Sequence, residues 1–276
     1  MITIETTSKG AELISVKLNG AEKMHDGATF WNRHAPVLFP IVGKLKDNKT
    51  FIDGKEFNMG QHGFARDMEF ETLGNNTYVL KSNKETLEKF PFKFELYISY
   101  EVKQNKVITK YKIINKDDKQ MIFGLGGHPA FKCEYTTGEY RLEFEQKEDF
   151  EIYQLEEGLV KENKEEASKF IKENKFFLDK NTFKNDAIII KNIKSRKVYL
   201  KKENKNILCF EFEDFPYLGI WSKEDAPFIC IEPWFNTADY INSNNIFEEK
   251  EDLIELEPNQ EFKAQYSVEF FKQSNN

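Results

Sequence analysis

Apolar and polar residues alternate along much of this chain. Every second residue from 94 to 102 is apolar, and polar residues such as Glu95 and Ser99 lie between them. The same pattern is present over residues 107–113 and again over residues 262–270. Alternate side chains of a strand point to opposite faces of the sheet, so these segments predict strands with one buried face.

Turn residues between such segments predict hairpins. Gln104-Asn105 separates the first two segments, and Gly74-Asn75-Asn76 separates residues 68–73 from residues 78–81. Asn and Gly tolerate a positive φ, which tight hairpin turns require. Further strands are predicted at residues 12–18, 141–144, 187–190, 197–201, 207–212, 218–221 and 228–232.

Helical patterns are few and short. The predicted helices are residues 84–90, stopped by Pro91, and residues 163–172. Strands at intervals of roughly ten residues with turns between them predict an all-β, large antiparallel β-sandwich with a few short helices. The polar segment 156–175 is interpreted as a surface excursion rather than a linker, so one domain is predicted over residues 1–276.

The amino-acid composition limits which binding partners and which cellular location are expected. The 26 Phe and 11 Tyr residues favour strands, and a net charge of −7 argues against a nucleic-acid partner. No apolar run approaches the ~20 residues of a membrane span, and no secretion signal is visible at the N-terminus. Cys133, Cys209 and Cys230 form neither a metal motif nor a disulfide framework, so we expect buried free thiols and a cytoplasmic location.

The first candidate for chemistry is His62 in the segment Met59-Gly-Gln-His-Gly-Phe-Ala-Arg66. Gly60 and Gly63 let the backbone turn tightly and approach a ligand. Arg66 adds five donors suited to an oxygen-rich ligand. The alternative is a buried turn histidine with Arg66 paired to Asp67, and local sequence leaves both interpretations open.

The second candidate is His128 in the segment Phe123-Gly-Leu-Gly-Gly-His128. Three glycines within four residues fit a regular strand poorly and predict a bulge or irregular stretch that aims the histidine. The alternative is a histidine that only packs in a tight turn. A nucleotide-binding loop is disfavoured because no strand–loop–helix unit surrounds these glycines.

The third candidate is Glu232, at the end of the apolar run that begins at Phe228. A carboxylate desolvated beside Pro233 and Trp234 would have a raised pKa and act as a better base. It is equally well read as a strand-end residue that reaches solvent. Trp234 or Trp221 would give a sugar ring a flat apolar platform, or would simply pack in the core.

The other two histidines, and the possibility of a metal site, say less about function. His25 and His34 are interpreted as surface or turn histidines. Two histidines and a glutamate also make a zinc ligand set, but neither HxH nor HExxH is present. A long-range three-ligand site stays open at this level, and we expect no metal and no cofactor.

Taken in order, these motifs resemble the aldose 1-epimerase (galactose mutarotase) superfamily, and the LacX-like branch within it. The resemblance rests on residues 35–44, the His62-Gly-Phe-Ala-Arg66 block, the Gly-Gly-His128-Pro turn and the Ile-Glu232-Pro-Trp run. It spans nearly the whole chain. It implies a galactose mutarotase-like supersandwich and interconversion of the α and β anomers of a hexose such as galactose or glucose.

The resemblance also implies roles for single residues. Glu232 would take the proton of the anomeric hydroxyl, His128 would protonate the ring oxygen, and His62 would be the second catalytic histidine, hydrogen-bonded to the substrate. Asp186 would bind a sugar hydroxyl. Lys44 stands near the position of a family arginine, so the substrate contact there is either altered or taken over by Arg66.

The resemblance leaves substrate and partners open. The His62–Arg66 block is also similar to hexose-6-phosphate 1-epimerases, in which arginines hold the phosphate; Arg66 matches that pattern and Arg33 matches it loosely. A non-catalytic carbohydrate-binding protein on the same fold is the alternative from another class. A hydrolase would need paired carboxylates, of which Glu232 is the one strong candidate and Asp186 a distant second. We expect a small-molecule sugar as partner and a monomer or homodimer.

Overall fold

The alternating segments on either side of Gln104 form a long antiparallel hairpin in the computed structural model, which describes residues 1–161 and 171–272. Gln104 adopts a φ of 57°, as a tight turn requires. The helix predicted at residues 84–90 is also present: α1 spans Lys84–Lys89 and is capped by the Asn83 side chain, which accepts from the Thr86 backbone N–H. No helix among the described residues has the length and apolar character of a membrane span.

The strands of the described residues are, in chain order, β1 (Ile2–Thr6), β2 (Leu13–Leu18), β3 (Ala21–Glu22), β4 (Val37–Leu38), β5 (Lys49–Ile52), β6 (Lys55–Asn58), β7 (Glu71–Gly74), β8 (Thr77–Lys81), β9 (Phe94–Lys103), β10 (Lys106–Asn115), β11 (Met121–Phe123), β12 (Gly126–Gly127), β13 (Ala130–Lys132), β14 (Tyr140–Phe144), β15 (Glu151–Glu156), β16 (Leu159–Val160), β17 (Ile171–Lys172), β18 (Lys175–Phe177), β19 (Ile188–Lys191), β20 (Lys197–Lys202), β21 (Lys205–Glu211), β22 (Tyr217–Trp221), β23 (Phe228–Trp234), β24 (Ile254–Leu256) and β25 (Glu261–Phe270).

Two large antiparallel sheets build the molecule. The first has the order β17-β18-β14-β20-β21-β25-β10-β9-β8-β7, and the second has the order β16-β15-β19-β22-β23-β12-β4 with β13 also paired to β23. Side chains of both sheets share one hydrophobic core, as where Phe131 of the second sheet meets Phe210 of the first with ring centroids 6.2 Å apart. The predicted all-β antiparallel sandwich is therefore confirmed.

The sequence pattern located the long strands well and the short ones poorly. Each predicted strand and hairpin is present, with bounds that shift by up to three residues. The pattern missed β1 and β15, and it missed shorter strands such as β5, β11 and β24. Strands of two residues, such as β3 and β4, are too short to show a period. The helix predicted at residues 163–172 lies outside the described residues except for its last two, and these form β17.

The sequence predicted a bulge or irregular stretch at the glycines before His128, but Gly126 and Gly127 lie in a paired strand. Gly126 and Gly127 form β12, which pairs with β4 and β23. A Cβ on Gly126 would lie 2.8 Å from the Trp234 ring, and one on Gly219 of β22 would lie 2.5 Å from the same ring. These glycines therefore make room for a large indole on the neighbouring strand.

This packing predicts the cost of adding one methyl group. Gly219→Ala would push the Trp234 ring from its place and lower the free energy of unfolding by about 1–3 kcal/mol, as overpacking of a tight core does. Urea unfolding followed by circular dichroism measures the change. Gly60→Ala is the matched control, because a Cβ there meets no atom within 4 Å. Equal stability of the two variants would contradict this account of Gly219.

Candidate active site

A cavity of about 450 Å³ lies against the second sheet. Its walls come from β15, β19, β22, β23 and the loops next to them. All three tryptophans of the chain line it. The predicted site residues that line it are His62, Arg66, His128, Asp186, Glu232 and Trp234.

His128 faces Glu232 because of strand register. On one side of His128, Gly126 pairs with Trp234, and on the other side Ala130 pairs with Cys230. The same register carried through the break at His128-Pro129 places the imidazole directly opposite the carboxyl group. His128 Nε2 lies 3.2 Å from Glu232 Oε2.

Both groups are nearly removed from water, with exposed side-chain fractions of 8% and 1%. Burial raises the pKa of Glu232 well above its usual value, and the nearby carboxylate of Asp186 adds to the rise. Burial, together with the positive charge of Arg66, lowers the pKa of His128 to about 3. Burial thus favours an uncharged acid beside an uncharged base.

His62 has its hydrogen-bonding role fixed by Gly43. The Gly43 backbone N–H donates to His62 Nδ1 at 3.0 Å, and the His62 backbone N–H donates to the Gly43 carbonyl at 2.7 Å. With Nδ1 used as an acceptor, the neutral ring carries its proton on Nε2. Burial and the neighbouring His128 lower the pKa of His62 well below its usual value. His62 is therefore a neutral donor at the cavity.

Two arginines share one carboxylate at the cavity rim. Arg33 donates to Asp67 at 2.7 Å, and Arg66 Nε lies 3.8 Å from the other oxygen of the same group. Arg66 also donates to the Gln61 carbonyl at 2.7 Å. Burial, and then the charge of Arg33, lowers the pKa of Arg66 to about 10, so the Arg66 guanidinium group stays charged at neutral pH.

The remaining predicted residues differ in placement. Asp186 has a φ of 73°, precedes β19 and presents an exposed carboxylate to the cavity. Trp234 is 3% exposed and forms part of the cavity wall. Lys44 is not among the lining residues: its ammonium group donates to the Glu157 carbonyl at 3.0 Å, and its stem packs against Gly158 at the rim.

The cavity also contains residues that local sequence did not single out. Trp31 packs against His128, with ring centroids 4.8 Å apart, and Lys223 also lines the cavity. The interpretation of His25 as a surface or turn histidine is wrong, because its side chain is 4% exposed and packs 4.2 Å from the Phe228 ring. These contacts join distant segments, so no local pattern marks them.

One cluster among the described residues has the donor types of a metal site. Donor atoms of His128, Cys230 and Glu232 lie within 4.8 Å of one another. Cys230 is fully buried and does not line the cavity, and burial raises the pKa of its thiol well above the usual value. A metal needs the thiolate, so this set fits a structural or catalytic cation poorly.

Comparison with known proteins assigns the chain to a family. A family model described as aldose 1-epimerase matches residues 2–269. The plasmid and chromosomal LacX proteins of Lactococcus lactis subsp. lactis are each 32% identical to this chain over 288 residues, which span 97% of this chain and 96% of theirs.

Solved structures give the same result. A galactose mutarotase related enzyme from Lactobacillus acidophilus superposes with a TM-score of 0.91 at 32% identity, covering 99% of this chain and 95% of its own. A galactose mutarotase-like protein from Lactobacillus casei superposes with a TM-score of 0.90 at 29% identity, covering 98% and 97%. The supersandwich that the sequence motifs imply is therefore confirmed.

The opposite pKa shifts of His128 and Glu232 predict opposite effects on stability. The folded-state pKa of His128 lies below its ordinary 6.5, so its contribution is present above pH 6.5 and is lost as the pH falls towards 3. His128→Asn should therefore reduce the loss of stability between pH 7 and 5, by about 2 kcal/mol. Urea unfolding of both proteins at each pH gives the difference.

Glu232→Gln should change the pH dependence of stability in the opposite direction. The folded-state pKa of Glu232 is raised, so its contribution is present below its ordinary 4.5 and is lost as the pH rises through the folded value. This variant should gain stability relative to the wild type as the pH rises. The same pH dependence in wild type and both variants would rule out the buried pair described above.

Proposed function

Because the chain belongs to the aldose 1-epimerase family, we propose that it is an active mutarotase that interconverts the α and β anomers of a hexose such as galactose or glucose. The reaction opens the cyclic hemiacetal by acid–base chemistry and closes it on either face. The distance of 3.2 Å between His128 Nε2 and Glu232 Oε2, at the wall of a cavity wide enough for a hexose, carries this proposal.

Ring opening needs one proton removed and one proton delivered. Glu232, ionised, accepts the proton of the anomeric hydroxyl, while His128, protonated, donates to the ring oxygen. The C1–O5 bond breaks as the carbonyl forms at C1. Rotation about C1–C2 and reversal of both transfers give the other anomer. A general acid and a general base acting together contribute about 10²–10⁴-fold each to a rate.

The other lining residues would hold the sugar in place. His62 offers its Nε2–H to a hydroxyl oxygen and takes no part in proton transfer, because Gly43 occupies its other nitrogen. Asp186 accepts from a hydroxyl group. The indole rings of Trp31, Trp221 and Trp234 give apolar surface for the C–H faces of a pyranose. Three buried free cysteines suit a reducing compartment such as the cytoplasm.

Removal of either proton carrier tests the assignment. Glu232→Gln and His128→Asn keep the side-chain size but lose the transfer, so each should slow mutarotation of freshly dissolved α-galactose or α-glucose by about 10²–10⁴-fold. Polarimetry follows the reaction directly.

One control variant and one variant of a substrate-binding residue complete the test. Glu255→Gln replaces an exposed carboxylate remote from the cavity and should leave the rate unchanged. His62→Ala removes a donor and should raise KM more than it lowers kcat. Near-normal rates for both Glu232→Gln and His128→Asn would overturn the mechanism, and an inactive wild type that still binds the sugar would indicate a non-catalytic carbohydrate-binding protein.

One observation favours a phosphorylated hexose as a second candidate substrate. The charged side chains among the described lining residues are Arg33, Arg66, Lys223, Asp186 and Glu232. Burial favours the uncharged form of Glu232, so these three cations outnumber the Asp186 carboxylate and the rim carboxylate of Asp67 that both arginines share. Arg66 Nε is buried and has no hydrogen-bond partner among the described residues. Such a cationic rim suits a phosphate group.

Replacement of Arg66 distinguishes a phosphorylated substrate from a free hexose. If the phosphorylated hexose is the substrate, glucose 6-phosphate should have a KM about 10-fold or more below that of glucose, and Arg66→Gln should remove the difference, since a charge-assisted bond to phosphate contributes about 1.5–3 kcal/mol. Coupled assays with anomer-specific dehydrogenases measure both KM values. Arg141→Gln is the control because Arg141 pairs with Glu143 on β14, away from the cavity. Equal KM values in the wild type would assign the site to free sugars.

A further inference from the structure

The segment of residues 24–34, here called the rim loop, begins and ends on the strand that follows His128. The His25 backbone N–H donates to the Ala130 carbonyl at 3.0 Å, and the Ala130 N–H donates to the His34 carbonyl at 2.8 Å. Both ends of the loop are thus fixed to the first residue of β13, two residues beyond His128. Any shift of β13 moves the loop and the imidazole together.

The tip of the rim loop is held by side chains as well. Asp26 accepts from the backbone N–H groups of Ala28 and Thr29, each at 3.0 Å. Phe30 adopts a φ of 68°, which turns the chain sharply before Trp31. Lys223, from the loop after β22, donates to the Phe30 carbonyl at 3.1 Å. The tip is therefore tied to a second loop.

The rim loop delivers Trp31 onto His128. The two rings lie 4.8 Å apart at an interplanar angle of 31°. Trp221 meets the same imidazole edge-on at 5.6 Å, and His62 meets it edge-on at 5.5 Å. Three rings thus surround the imidazole.

This packing matters because His128 lacks the usual orienting hydrogen bond. A histidine that transfers protons through one ring nitrogen is normally held by a hydrogen bond at the other. His128 Nδ1 is buried and has no hydrogen-bond partner among the described residues. Ring contacts, together with the approach of Nε2 to Glu232, are therefore what fixes the imidazole.

His25 fixes the ring that lies on His128. His25 Nε2 donates to the Trp31 carbonyl at 2.8 Å, and its own ring packs at 4.2 Å from Phe228. Phe228 stacks in turn near Trp31, at 6.0 Å. The buried His25 thus joins the start of the rim loop to Trp31.

We propose that His25 is a positioning residue: by holding Trp31 against His128, it sets the orientation of the imidazole towards Glu232 in place of the missing hydrogen bond at Nδ1. The catalytic part of this inference rests on the proposed mutarotase function. The structural part does not, and the two parts are measured separately below.

The structural part is tested by NMR of the ligand-free protein. An indole ring at this distance shifts the His128 ring protons by its ring current, and the His128→Asn variant identifies those signals. His25→Leu removes the donor and should move the His128 signals towards their usual values. His25→Gln keeps a donor and should restore them. Glu255→Gln, an exposed residue outside the rim loop and the cavity, is the control and should leave them in place.

The catalytic part is tested by kinetics of the same variants. His25→Leu should lower kcat about 10-fold or more with a smaller change in KM, since a misplaced catalytic group costs up to about 10²-fold. His25→Gln should recover most of the loss. If His25→Leu does not fold, His25→Met makes the same comparison, because it too lacks the Nε2–H that donates to the Trp31 carbonyl.

Each outcome is decisive. His128 signals that stay in place in His25→Leu, or in His25→Met where that variant is used, overturn the proposal. Signals that move while kcat stays unchanged overturn the positioning role and leave the mutarotase function intact. A wild type without mutarotase activity overturns the proposed function, and the NMR comparison still decides whether His25 orients His128.

Discussion

The site depends on one antiparallel register. β23 carries Glu232, and β12 and β13 keep the same register with it on either side of His128. An acid–base pair is thereby set at a cross-strand position in the middle of a sheet, where backbone hydrogen bonds hold both partners. Such positions are rigid, and they are also dry. The unusual pKa values of both groups follow from that dryness, because desolvation is the largest cause of each shift.

A buried pair of this kind can hold one proton in either of two places, and the total charge is the same in both cases. The proton lies on Glu232 in the neutral arrangement and on His128 in the ion pair. Burial favours the neutral arrangement. Under the proposed mechanism, ring opening begins from the ion pair and ends with the neutral pair, so the dry environment favours the open-chain stage. Closing the ring restores the separated charges, and neither direction consumes a cofactor.

Much of the fold could be predicted from the sequence, and the site could be predicted in part. The long strands were visible because each buries one face, as β9 and β10 do, and Glu232 stood out as a carboxyl group at the end of an apolar run. The contacts of His25 were not visible, because they join it to Trp31 and Phe228 through tertiary packing. The need for Gly126 was not visible, since the Trp234 ring that requires it lies on another strand.

The hydrogen bond from Gly43 to His62 has a consequence for selectivity. With its Nδ1 lone pair occupied and its pKa lowered, His62 offers the cavity an N–H and nothing that accepts. An oxygen with a free lone pair accepts a hydrogen bond from that N–H. An ammonium group cannot accept one, and its positive charge repels the N–H hydrogen. Under the proposed function, His62 therefore disfavours protonated amino sugars at this position, across the pH range in which the imidazole stays neutral.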